Sequence, residues 1–370
     1  MQNTSIRPTA TTQHRFHLLD ALRGVAAILV VPIHVFPAYR QILAHQESYI
    51  AVDFFFCLSG FVVAFSYERR LLDSMSFAKF FITRLLRLYP LAALGTLFGA
   101  CELLLLPSSG NYAWAKVPSL MEAVMGFALI PKLSKYSLLF PLNPVLWTLF
   151  MELLVNAGYA VAVRFGAAKN WVLAIATILF LYLLKVEAYH FGTLSLGVER
   201  GGAIPGFLRA AASFCMGVAM MRLYRLTSHR RIGGVLAGGI TAFVTAALIA
   251  VLCGPTLPLP LLLLTIGLLF PALIYLAAHV NLTKAWLPVC VFLGQISYPL
   301  YILHLPLVYP FFAIPFLVRF SAVHEVAANF FLIAFIALLT VGAWLAAKFY
   351  DTPVRTFLTG RVNKRLAHSH

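Results

Sequence analysis

Two basic side chains stand eleven residues apart in an otherwise apolar run, LLDALRGVAAILVVPIHV: Arg23 and His34. On an α-helix, eleven steps of about 100° bring both side chains close to one face, roughly 16 Å apart along the axis. Asp20, three residues before Arg23, shares the arginine's face. A neutral imidazole can take a proton from a hydroxyl, or can itself be acylated as a nucleophile. A guanidinium can hold an anion through two parallel hydrogen bonds. The plainer reading has Arg23 reaching headgroups and His34 bonding a neighbouring helix. Two such residues on one face favour function.

Other ionisable and polar residues interrupt later apolar runs. VDFFFCLSGFVVAF contains Asp53 and Ser59. Asp53 is an interface residue, a partner for His34, or a partner for another cation. Ser59 has no Gly-x-Ser-x-Gly turn around it, so it is a poor nucleophile candidate and a better substrate contact. In RLLRLYP, Arg84 and Arg87 are three apart and form one cationic face. That face either anchors headgroups or clamps a phosphorylated ligand. LWTLFMELLVN places Glu152 five residues after Trp147. Asp53 or Glu152 could orient the His34 ring or stabilise its imidazolium. GQISYPLYILHLP sets Tyr298, Tyr301 and His304 at steps of three, on one broad face. Tyr298, His304, Trp147 and Ser59 are expected to contact substrate. No CxxC or HExxH spacing suggests a metal, and the five cysteines read as small buried hydrophobes.

The elements that position these residues are set by composition. Hydrophobic residues make up 61% of the 370 residues and charged residues 11%, against roughly 25% charged in a soluble domain. Lipid is the solvent that fits, and the fold class is all-α, polytopic and membrane-embedded. Apolar runs near 20 residues centre on ten segments: 21–39, 50–67, 87–106, 145–163, 171–184, 207–224, 232–253, 259–279, 288–311 and 326–349. The fifth is short, and the ninth is interrupted by Pro299, Pro306 and Pro310. The apolar stretch 119–131 is too short to cross and reads as re-entrant or interfacial. The first run has no cleavage site and reads as a retained helix.

Charge orients this layout. Arg40, Lys116, Lys132, Lys135, Lys185, Arg200, Arg209 and Arg319 fall on one side, and the rest of the 28 Lys and Arg residues on the other. Positive charge marks the cytoplasmic face, so both termini are expected there. The net charge of +16 is thus topological, and nucleic acid is not an expected partner. The expected organisation is a tail over 1–17, a membrane domain over 18–350 and a basic tail over 351–370, with no repeat of the kind that marks many transporters.

Six segments, in order, resemble the membrane acyltransferase-3 family, which includes bacterial polysaccharide and O-antigen O-acetylases. They are LDALRGVAAILVVPIH, VDFFFCLSGF, RLLRLYP, LWTLFMELLVN, GQISYPLYILHLP and YDTPVRTF. Thr148 stands where the family usually has Ser, and Asp351-Thr352-Pro353 replaces a closing Glu-x-Pro. The resemblance implies a stand-alone O-acyltransferase in a bacterial inner membrane, without a hydrolase-like C-terminal domain. Its donor would be cytoplasmic acetyl-CoA or another acyl-CoA. Its acceptor would be a hydroxyl on an extracytoplasmic carbohydrate or lipid-linked glycan, and no metal is implied. It casts Arg23 and His34 as the essential Arg…His pair, Arg84 and Arg87 as the Arg-x-x-Arg pair, and Glu152 as the Trp-x4-Glu carboxylate. On this view Arg84, Arg87 and Arg23 hold the CoA phosphates while the thioester reaches His34. A transporter or flippase for a lipid-linked sugar or organic anion is the alternative that the spans and buried charges also permit.

Overall fold

In lipid, a spanning backbone must satisfy its own hydrogen bonds, and a helix does so within one segment. The computed structural model describes residues 15–34, 47–105, 119–133, 138–312 and 325–367. Helix α1 is His17–Val30, tightening into a 3₁₀ turn over Val31–His34. It is followed by α2 (Ala51–Asp73), α3 (Phe77–Leu105), the short α4 (Leu120–Phe127), α5 (Leu146–Arg164), α6 (Asn170–Phe191), α7 (Ala203–Thr227) and α8 (Gly234–Cys253). Helices α9 (Leu259–Leu264) and α10 (Phe270–His279) are joined by a π turn, and α11 is Leu287–Phe312. A second π turn, Ala347–Asp351, joins α12 (Glu325–Ala346) to α13 (Thr352–Ala367). Among the described residues, ten helical segments are long and apolar enough to cross a membrane. The chain is an all-α, polytopic membrane protein, as its composition requires.

Several boundaries differ from the hydropathy reading, each for a physical reason. Helix α3 starts ten residues before the apolar run, at Phe77. At 1.5 Å per residue its 29 residues reach about 43 Å, longer than the ~30 Å hydrocarbon core, so its first turns extend beyond the lipid. The fifth span is not short: α6 continues through Lys185, Glu187 and His190 to a left-handed Gly192 at φ +69°, the usual glycine stop. The prolines do not break the ninth span. Pro306 has no N–H and would orphan the Ile302 carbonyl, but the buried Asn143 Nδ2 donates to that oxygen at 3.0 Å. Cys57 and Cys290 are buried as expected, whereas Cys101 is exposed on α3.

Helices α2 and α7 are the most enclosed spans, while α6 and α8 expose apolar side chains such as Ile178 and Val235 around the rim. Small residues set the closest approaches. A Cβ on Gly24 of α1 would lie 2.5 Å from the Leu293 carbonyl oxygen of α11, and one on Gly294 would lie 2.8 Å from the Asp20 Cβ. Hence α1 and α11, which run in the same direction, pack backbone against backbone. At the end of the bundle away from the chain termini, the Leu139 amide donates to the Val198 carbonyl, joining the segments before α5 and α7. There α4 begins with a reciprocal Ser119–Glu122 capping box. The Lys132 ammonium bonds Glu122 and holds its carboxyl below the ordinary range. With Leu120 and Met121 exposed, this eight-residue helix lies against the bundle without crossing.

Candidate active site

The helix that carries Arg23 and His34 meets α11 at two levels. Nearer the terminal face, Arg23 Nε donates to Ser297 Oγ at 2.8 Å and Nη2 donates to the Gly294 carbonyl at 3.2 Å. Asp20 completes the group, 3.3 Å from Arg23 Nη2 and 2.9 Å from Arg15 Nε. Near the opposite face, His34 Nδ1 lies 3.2 Å from His304 Nε2, with the ring centroids 4.9 Å apart. The 3₁₀ turn lengthens the rise between Arg23 and His34 to about 18 Å and alters the strict α-helical register. Both side chains nonetheless reach the same neighbour.

A second constellation centres on Glu152 of α5. Its Oε1 accepts from Arg84 Nη2 of α3 at 2.6 Å and from Ser59 Oγ of α2 at 2.8 Å. One carboxylate oxygen thus ties three helices, and Arg84 is only 4% exposed. Arg87 faces elsewhere. It is exposed, with no hydrogen bond or ion pair among the described residues. Three steps of 100° leave the two arginines about 60° apart around α3, enough to send one inward and one outward. Arg87 and Glu152 both lie within electrostatic reach of Arg23 and of Arg84, so the Arg23 and Arg84 groups form one basic region. Tyr298 closes it, donating its hydroxyl to the Leu88 carbonyl at 2.5 Å. The Tyr350 hydroxyl donates to the Pro90 carbonyl at 3.2 Å.

A third constellation lies toward the His34 end. Asp53 takes the second of its two expected partners, a cation other than His34. Arg209 Nη2 donates to Asp53 Oδ2 at 2.5 Å and Nε donates to Oδ1 at 3.2 Å, with both side chains almost fully buried. Arg209 Nη1 also donates to the Leu196 carbonyl and Nη2 to the Tyr49 carbonyl. The guanidinium stands 5.7 Å from the Trp147 ring, whose far edge fills the space beside Gly197 and Gly206. Trp147 is therefore packed structure as well as an expected substrate contact. Neither Asp53 nor Glu152 is seen against the His34 ring; His304 takes that position.

Sequence reasoning missed three things here. Arg209 entered only as a topological charge, although a guanidinium six residues into an apolar helix is itself a signal. The Glu68–Arg222–Arg225 group at the terminal face, with contacts of 2.5 and 2.7 Å, went the same way. The partnership of His34 with His304 joins residues 270 apart, and no local spacing encodes it. Among the described residues, no three His, Cys, Asp or Glu side chains gather as a metal site.

Comparison with known proteins identifies the family. "Protein 2 in picA locus" of Rhizobium radiobacter is 38% identical over 181 residues, which is 44% of this chain and 90% of that protein. No solved structure matches. A family model described as an acyltransferase domain matches residues 16–348, from the start of α1 to the second π turn and including every residue discussed above as a candidate. The chain therefore belongs to the membrane acyltransferase-3 family and is an acyltransferase.

Proposed function

We propose that the protein moves an acyl group, acetyl by default, from cytoplasmic acyl-CoA to a hydroxyl of an extracytoplasmic carbohydrate or lipid-linked glycan. The observation that carries this reading is the polarity of the α1–α11 pair. It presents arginines near the face with the excess of positive charge and an imidazole pair near the other. Anionic phosphates of the donor suit the basic region, where the Arg87 side chain is exposed and makes no hydrogen bond or ion pair among the described residues. The thioester then extends between helices toward His34. Both termini are cytoplasmic in this reading, and the membrane is the bacterial inner membrane.

The His34 imidazole accepts the acceptor's hydroxyl proton as its oxygen attacks the thioester carbonyl. The carbon–sulfur bond breaks, and the leaving thiolate takes the proton back. Ester and free thiol form with no net change in protons. Glu152, bonded to Arg84 and Ser59, holds the basic region in shape from within.

Purified protein in liposomes, given acetyl-CoA and a carbohydrate acceptor, should release CoA only when acceptor is present. His34→Ala should abolish that release. Transfer that survives this substitution ends the assignment of His34. Acyl-His34 trapped by rapid quenching would replace base catalysis with a covalent intermediate. Glycolipid movement without CoA consumption would instead indicate a transporter.

A further inference from the structure

A neutral imidazole carries one N–H and one lone pair, and the partner of one nitrogen decides the role of the other. His304 Nδ1 stands 2.7 Å from the Tyr301 carbonyl oxygen and 3.2 Å from that of Leu300. A carbonyl oxygen only accepts, so this nitrogen carries the hydrogen. The other tautomer would set two lone pairs face to face at 2.7 Å. A doubly protonated ring would be a cation at 0% exposure, the costly case for a buried charge. His304 Nε2 therefore presents its lone pair to His34 Nδ1, 3.2 Å away. His34 Nδ1 must then donate, and the Val30 carbonyl oxygen, also at 3.2 Å, is a second acceptor beside it.

We infer that His304 is a positioning residue that fixes the tautomer of His34 and so makes Nε2 its basic nitrogen. The inference rests on the reading of His34 as the general base. It moves His304 from expected substrate contact to support for that base. In hydrolase triads a carboxylate performs this task. Here a neutral imidazole does it, itself oriented by main-chain carbonyls one turn back on α11. When His34 takes up the acceptor's proton, its Nδ1–H bond to His304 becomes charge-assisted and stronger. The stabilisation thus appears as the reaction proceeds, and no proton need leave His34 for His304.

The test combines nitrogen NMR on protein labelled with ¹⁵N-histidine, His34 being assigned by its loss in His34→Gln, with transfer kinetics in liposomes. The wild type should show His34 protonated at Nδ1. His304→Leu should turn this into a mixture of tautomers and lower kcat by ~10–100-fold, the usual effect of losing such a support, with the donor KM little changed. His304→Gln, whose Oε1 can stand near the lost Nε2 and accept the same bond, should recover most of both signals. His34 protonated at Nε2 in the wild type overturns the inference without any variant having to fold. So does a folded His304→Leu with wild-type kcat, or a folded His304→Gln as impaired as His304→Leu. Transfer that survives His34→Ala sinks the parent reading instead, so the two failures can be told apart.

Discussion

Arg84 and Arg87 look equivalent on paper, and their surroundings divide their work. Arg84 holds Glu152 from within the bundle at 2.6 Å, whereas Arg87 is exposed. Arg87→Ala should therefore raise the donor KM and leave both kcat and thermal stability close to wild type. Arg84→Ala leaves the part-buried Glu152 carboxylate, 19% exposed, without its cation and should lower stability, by less than the roughly 3–5 kcal/mol of a fully buried pair; kinetics together with thermal unfolding in detergent separate the two outcomes. A similar logic applies to Asp53 and Arg209, exposed by 0% and 2%. Either Asp53→Leu or Arg209→Met alone leaves an unpaired buried charge and should cost about 3–5 kcal/mol, while the double substitution should recover most of that loss. Thermal unfolding of the three variants checks it. Asp53, Arg84 and Glu152 were legible as candidates from the sequence, whereas Arg209 was not. Which carboxylate meets which cation was not, because Asp53–Arg209 and Arg84–Glu152 join residues more than sixty positions apart.

Helices α1 and α11 meet through glycines and carry both halves of the proposed reaction path. A branched side chain in place of Gly24 would collide with the Leu293 backbone. Gly24→Val should consequently push the helices apart and abolish transfer while the chain still inserts into the membrane; crosslinking between cysteines placed on the two helices would report the separation. Periodicity and hydropathy located the spans, because the cost of exposing polar backbone to lipid is paid segment by segment. They misjudged ends. The helical backbone of α3 continues into polar sequence at Phe77, and that of α6 runs on to Gly192. They also took the prolines of α11 for interruptions. The remedy for Pro306 lies on a distant segment, in the amide of Asn143.

Ten crossings return a chain to the face it started from, and the sequence layout assigns most of the lysines and arginines to that face. Reporter fusions after residue 230 and at the C-terminus should accordingly both read as cytoplasmic, and fusions near residues 132 and 195 as external; the inverse pattern reverses the proposed direction of transfer, and a mixed one overturns the ten-span layout. Charge asymmetry predicts this orientation and requires an even number of spans, and the ten helical segments among the described residues meet that requirement. The cover over the far end was not legible, because the main-chain bond between Leu139 and Val198 and the Arg209 bond to the Leu196 carbonyl have no periodic signature. The parallel pair α1 and α11 is pinned at both heights, by Arg23 to Ser297 and by His34 to His304, with touching backbones between. Such a doubly fastened spine cannot part like a hinge. In the proposed reaction, admission of the donor at one face and of the acceptor at the other falls to elements opposite it, so the moving walls are to be sought in its neighbours and not in the two helices that hold His34 and His304.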